Sequence, residues 1–169
     1  VTPLPAPLGG ADLVAWRLDR ESFSGTWDSG EGAFLAGGRW NSRGVRAVYC
    51  AIDPATAILE VAVHTGFDAL DTVPHVLTAL RVTDLSRIAV LNPADIPNPN
   101  WLRPGSPSVG QQAFGDALLS GHQFVVIPSV VSSHSWNLIF DAPAAAGAYV
   151  VHAQERFALD PRLHRPSEG

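Results

Sequence analysis

Short apolar runs, each closed by glycine, proline or aspartate, set the rhythm of this chain. Leu13–Leu18 reads as a strand carrying Arg17. Arg46–Ile52 is a clearer one: Val48, Cys50 and Ile52 fall on one face and Ala47, Tyr49 and Ala51 on the other, because successive strand side chains point to opposite sides. Val76–Val82, Ile88–Leu91, Phe124–Val131, Asn137–Phe140 and Tyr149–Phe157 read as further strands, and Pro128 marks an edge or a bend in its run. Asp53-Pro54 supplies an N-cap followed by a proline at the first helical position, which predicts a helix running to about Thr65, with Gly66 as its stop. Val109–Leu119 predicts a second helix, ending at Ser120-Gly121. Residues 19–38 lack periodicity and read as irregular with one helical turn. Residues 92–108 carry five prolines and read as a long loop. Strands dominate the second half, so the expected class is α+β rather than a doubly wound sheet.

No linker or internal repeat divides the chain, and 169 residues are enough for one self-sufficient core. The expected organisation is a single domain over 1–169, with an extended Pro- and Gly-rich segment at 1–12 and a polar tail at 160–169. A net charge of −5 with scattered basic residues counts against direct nucleic-acid binding. Every Lys/Arg position is arginine, which fits the compositional bias also visible in the abundant Ala, Pro and Gly. Cys50 stands alone, so no intrachain disulfide can form, and its apolar run predicts a buried thiol rather than a nucleophile. No signal-like opening and no membrane-length apolar run is visible, so a cytoplasmic location without membrane attachment is expected.

Several chemistries leave no trace. There is no Walker loop and no GxSxG elbow. Gly30-x-Gly32-x-x-Leu35 fails the dinucleotide fingerprint at its third glycine. The six histidines show no ligand spacing, and no metal is expected.

The positive signals begin with Glu60, set among Ile58, Leu59, Val61, Ala62 and Val63 on a helix apolar on nearly all sides and therefore read as buried. A lone buried carboxylate needs a partner. It is either a catalytic group facing a cleft or half of a structural ion pair with Arg17 or Arg39. Arg39 lies in Gly37-Gly38-Arg39-Trp40-Asn41-Ser42-Arg43-Gly44, where glycines allow close approach to a ligand and a guanidinium suits bidentate phosphate contact. The alternative is a solvated surface turn, against which stands the adjacent Trp40. Arg17 faces either the same cleft or the wet side of its strand. Tyr49 is either a stacking platform for a flat ring or a core tyrosine. Ser129, after Pro128, reads better as a hydroxyl donor than as a nucleophile, and Asn137 as a polar contact or a turn-fixing amide.

At these residues the chain resembles the RES-domain family, named for a recurring arginine, glutamate and serine. The matching pieces are Trp16-Arg17, Gly37-Gly38-Arg39-Trp40-Asn41 with Gly44, Tyr49, Ile58-Leu59-Glu60, Gly115-Asp116, Pro128-Ser129-Val130 and Asn137-Leu138-Ile139. They occur in family order across roughly residues 14–143. The corner Asn137-Leu138-Ile139-Phe140-Asp141-Ala142-Pro143 departs from the family's Asn-x-Leu-Leu-Asn-Pro.

The resemblance implies an ADP-ribosyltransferase-like split, strand-rich core around an NAD cleft. It implies a toxin of a type II toxin–antitoxin pair that consumes NAD+ and needs no metal, and an Xre-like helix-turn-helix antitoxin as a separate chain. Arg39, Tyr49 and Glu60 would be catalytic. Arg17, Arg39, Trp40, Tyr49, Ser129 and Asn137 would hold the dinucleotide. Glu60 would stabilise the cationic sugar left as nicotinamide departs. ADP-ribose would pass to a protein target, to phosphate or to water. A bound phosphate would call on Arg43 or Arg46, and a protein acceptor on the loop 92–108. The competing classes are a non-catalytic nucleotide-binding module and a nuclease-type toxin.

Overall fold

The computed structural model describes residues 12–103 and 105–163. The extended segment expected over 1–12 lies almost wholly outside them, as does the polar tail from 164 onward. Residues 161–163, at the start of that tail, form a short 3-10 turn.

The strands are β1 (Leu13–Arg20), β2 (Ala47–Ala51), β3 (His75–Val82), β4 (Ile88–Val90), β5 (Phe124–Pro128), β6 (Trp136–Asp141) and β7 (Val150–Phe157). They form one sheet in the order β4-β5-β6-β2-β1-β3-β7, antiparallel throughout except for the β4–β5 pair. Among the described residues five helices accompany it: α1 (Glu31–Ala36), α2 (Pro54–Thr65), α3 (Phe67–Thr72), α4 (Val109–Gly121) and α5 (Ala142–Ala145). The class is the expected α+β.

Both faces of the sheet centre are covered, which is why β5 and β6 read as nearly unbroken apolar runs and why β5 is buried at every position. One face packs Leu13, Ala15, Val48, Cys50, Leu138 and Phe140 against Trp27 and Ala145. The opposite face packs Ala47, Val125, Ile127 and Ile139 under Trp40, Trp101 and Leu119. Further along, Leu18 and Leu77 lie under Ala62 of α2 and Leu70 of α3.

The sheet is split in its middle. β1 and β3 pair over eight residues and β2 and β6 over five, but β1 meets β2 only at Trp16↔Ala51. Beyond that point the two halves separate.

Four expectations need correction. Residues 19–38 hold a 3-10 turn at Glu21–Thr26 as well as α1, each too short to print a period on the sequence. β5 is an interior strand: Pro128 closes it beyond the reach of three-residue β4, so the missing N–H disrupts no ladder there. Helix α2 is not buried all round, because it caps the sheet instead of lying between layers. Thr56, Ala57 and Ala62 face inward, whereas Val63 is 59% exposed. The loop 92–108 contains a 3-10 turn at Pro93–Asp95 and buries Ile96 and Trp101, so it is packed down on the body.

Candidate functional site

The segment 37–44 folds as a tight hairpin. Gly37 has φ +75°, a value open to glycine at no cost, and the Gly38 N–H donates to the Asn41 carbonyl at 2.9 Å, so Arg39 and Trp40 occupy the apex. Asn41 is fully buried. Its amide donates to the carbonyls of Ala33, Ser42 and Val45, and its Oδ1 accepts from the Tyr49 hydroxyl at 2.7 Å. Tyr49 in turn accepts from the Trp40 N–H at 3.1 Å. Burial pushes the Tyr49 phenol well above its ordinary pKa, against the opposing effect of that hydrogen bond. Tyr49 therefore acts as a neutral pin for the hairpin, not as a proton acceptor.

Glu60 approaches from α2. Asp53 caps that helix, accepting from the Thr56 N–H at 2.8 Å, and also accepts from Ser135 Oγ at 2.6 Å, which ties the start of α2 to the β5–β6 turn. Two turns later Glu60 Oε1 accepts from Asn137 Nδ2 at 2.7 Å and from Ser129 Oγ at 3.0 Å. Both bonds fall on the same oxygen, and Oε2 takes neither of them. Ser129 is fully buried and also accepts the Ser132 N–H at 3.1 Å. Asn137 is 9% exposed and its own Oδ1 is buried without a hydrogen-bond partner.

Register brings these groups together. Tyr49 pairs with Ile139 and Ala51 with Asn137, so Tyr49 and Asn137 project from the same face of the sheet, the face that α2 and α4 cover. Burial holds the Arg39 guanidinium below its ordinary pKa, while the charge of Glu60 acts on it in the opposite sense. Arg39, Tyr49, Glu60, Ser129 and Asn137 thus form one constellation. Glu60 has neither Arg17 nor Arg39 as an ion-pair partner among the described residues; its hydrogen bonds come from neutral donors.

Two of the candidate ligand contacts lie elsewhere. Trp40 is 2% exposed, packed against Trp101 and Phe114 with ring centroids 6.0 and 6.5 Å away, so its ring belongs to the core and not to a ligand surface. Arg17 pairs opposite Thr78, on the far face of the sheet from Tyr49. It donates to Asp19 at 2.7 Å and to the Tyr49 carbonyl at 2.8 Å, bridging the split between β1 and β2. Arg46 pairs with Glu31 and stacks 4.5 Å over the Phe34 ring, away from the constellation, whereas Arg43 is exposed.

Arg39 itself is engaged. Its guanidinium donates to the carbonyls of Trp101 (3.1 Å), Arg103 (3.2 Å) and Gly105 (3.2 Å). A cavity of about 270 Å³ opens on this side, lined by Arg39, Arg103, Asn98, Ser108 and Gln111 among others, and Glu60 is not part of its wall. Three groups that sequence reasoning gave no role also shape the site: Asn41, Gln112 and Asp116. Gly115-Asp116 was one piece of the resemblance, and with Gln112 it falls on a single helix face, which was the available signal. Cys50 is buried, which pushes its thiol up to about 12 and leaves it inert. Among the described residues no cluster of three His, Cys, Asp or Glu is placed to hold a metal ion, and no helix is long and apolar enough to cross a membrane.

The fold is a split-sheet α+β architecture, with a carboxylate held by Ser129 and Asn137 and an arginine on a hairpin pinned by Tyr49 and Asn41. The RES domain model matches residues 14–160, and the chain belongs to the RES-domain family. It is 29% identical over 154 residues to "Toxin Res" of Photorhabdus laumondii, covering 89% of this chain and 97% of that protein. It is 31% identical over 159 residues to the "Prs ADP-ribosylating toxin" of a Sphingobium species, covering 89% and 96%. In fold it resembles a chain of the M. tuberculosis MbcT–MbcA toxin–antitoxin complex, with a TM-score of 0.63 at 23% identity over 87% of this chain and 85% of that one.

Proposed function

We propose that this protein is the toxin of a toxin–antitoxin pair and that it consumes NAD+ by breaking the nicotinamide–ribose bond. The observation that carries this reading is the state of Glu60: a carboxylate with one oxygen fixed by Ser129 and Asn137, leaving the other free of them, on the same face as a partly desolvated arginine. Such a carboxylate is preorganised to face a developing cation, and fixed groups of this kind stabilise a transition state without reorganising.

In this reading Arg39 binds the pyrophosphate. Three of its five N–H donors are taken by loop carbonyls, which leaves two for an anion. Glu60 Oε2 accepts from the nicotinamide ribose hydroxyls and stabilises positive charge at the anomeric carbon as the C–N electron pair leaves with neutral nicotinamide. A nucleophile then attacks that carbon and gives up its proton. The acceptor is a protein side chain, phosphate or water; the Sphingobium relative is named as an ADP-ribosylating toxin. The partner is an antitoxin supplied as a separate, Xre-like chain; the structural neighbour comes from a toxin–antitoxin complex.

The test is incubation of the purified chain with NAD+, with and without phosphate and cell lysate, with nicotinamide release measured and products identified by mass spectrometry. Glu60→Gln is expected to slow release by on the order of 10²–10³, the scale for one preorganised electrostatic contact. Full activity in that variant removes Glu60 from the reaction. Binding of NAD+ by calorimetry without any release makes the chain a binding module instead.

A further inference from the structure

Helix α4 presents three consecutive steps of one face to the hairpin that carries Arg39. Gln112 Nε2 donates to the Gly38 carbonyl at 2.9 Å, on the strand entering the apex. Asp116 Oδ1 accepts the Ser42 N–H at 3.0 Å and Asp116 Oδ2 accepts the Ser42 hydroxyl, on the strand leaving it. Residues four apart on a helix lie one above the other, so these two side chains grip the two legs together. Between them lies Gly115, where a Cβ would collide with the Trp40 carbonyl, so helix and apex meet backbone to backbone. Arg39 sits on that apex, and its guanidinium hydrogen bonds go to Trp101, Arg103 and Gly105, not to these three residues.

We infer that Asp116, assisted by Gln112, is a positioning residue that sets the direction of Arg39 through the backbone of the 38–42 hairpin. The hairpin is pinned from the sheet side by Tyr49 and Asn41, and the α4 clamp removes its remaining freedom to rock. Asp116 hydrogen-bonds Ser42, three residues on from Arg39, so its hold on Arg39 runs through the hairpin backbone. In kinetic terms the inference rests on the proposed NAD+ reaction.

The experiment measures KM for NAD+ and kcat for nicotinamide release in Asp116→Ala, Asp116→Asn and Gln112→Leu, each alone and with Arg39→Ala. Amide hydrogen exchange over residues 37–43 is followed in every variant. Losing a hydrogen bond to a charged group at this site is expected to raise KM roughly tenfold in Asp116→Ala, with kcat within about threefold of the parent. Asp116→Asn recovers most of the loss, because its Oδ1 still accepts the Ser42 N–H and its amide donates to Ser42 Oγ. In the Arg39→Ala background Asp116→Ala adds nothing, since both changes remove the same interaction. Exchange over 37–43 accelerates in Asp116→Ala and not in Asp116→Asn.

Additive effects with Arg39→Ala, a fall in kcat at constant KM, or unchanged exchange would each overturn the inference. Should Asp116→Ala fail to fold, Gln112→Leu carries the same comparisons. Should the parent protein neither bind nor cleave NAD+, the proposed function falls, and the clamp stands or falls on the exchange data alone.

Discussion

Glu60 Oε1 is held by two donors of different kinds, and the difference is measurable. Asn137 donates only to Glu60, whereas Ser129 donates to Glu60 and also accepts the Ser132 N–H of the β5–β6 turn. Asn137→Ala therefore removes a carboxylate contact, and Ser129→Ala removes a contact and a turn fastening together. In steady-state assays both variants are expected to lower kcat about tenfold with KM little changed, the signature of losing an interaction made chiefly in the transition state. Ser129→Ala alone should also lower the unfolding midpoint by roughly 2–4 °C, corresponding to about 1 kcal/mol in a chain of this size. In a Glu60→Gln background the kcat effects of both should largely vanish. Independent, multiplying losses would mean that Ser129 and Asn137 act on something other than Glu60.

At the scale of elements, α2 is a lever fastened at two points. Asp53 and Glu60 lie two turns apart: Asp53 holds Ser135 and Glu60 holds Ser129, both in the segment joining β5 to β6, and Glu60 also holds Asn137 of β6. Burial works to raise the Asp53 carboxyl, but hydrogen bonds from Ser135 and Thr56 outweigh it and hold the pKa below its ordinary value of 3.8. A depressed pKa means stability that is complete above the unfolded value and is lost as pH falls through the folded one. Asp53→Ala should therefore cost about 1 kcal/mol at pH 7, the usual cost of a lost cap, and the gap from the parent should close below pH 4 in denaturant titrations. The cap itself was legible in the sequence, as Asp-Pro ahead of an apolar helix ended by glycine. So were the strand faces of 46–52, the hairpin with Arg39 at its apex, and Glu60 as a carboxylate in need of a partner. What could not be read were the partners, because Ser129 lies 69 positions from Glu60 and Asp116 lies 74 from Ser42, and contacts at that range leave no local period. Trp40 shows the same limit: a tryptophan beside a ligand arginine can face the ligand or anchor the turn, and only the Trp101–Phe114 environment decides. Asp141, the departure from the family pattern, proves to be the cap of α5, accepting from the Ala144 N–H at 3.3 Å.

At the scale of the whole molecule, the sheet is two half-sheets joined by one registered pair and by Arg17. The guanidinium spans the split to the Tyr49 carbonyl and neutralises Asp19, whose side chain is only 12% exposed. Burial raises the Asp19 carboxyl above its ordinary pKa even with Arg17 beside it. The sign is opposite to that of Asp53: a raised pKa makes the ionised form a cost at neutral pH that is relieved as pH falls through the folded value. Arg17→Met strands that charge. Losing one partner of a fully buried pair costs about 3–5 kcal/mol, and since Arg17 is 29% exposed the loss at pH 7 should be nearer 2 kcal/mol. The deficit should shrink at mildly acidic pH, and Arg17→Met combined with Asp19→Leu should recover most of it at every pH. Denaturant titrations across pH read all three outcomes, and NAD+ kinetics at a temperature where the variant stays folded read a fourth. If Arg17 serves the seam, KM moves only slightly while stability falls. If Arg17 reaches the pyrophosphate, KM climbs tenfold or more and the Asp19→Leu second change does nothing to restore it. The geometry favours the seam, because the side chain that would have to reach the dinucleotide is on the opposite face of the sheet from Tyr49, with Nη1 donating to the edge of β2, Nη2 to Asp19, and Nε buried without a partner.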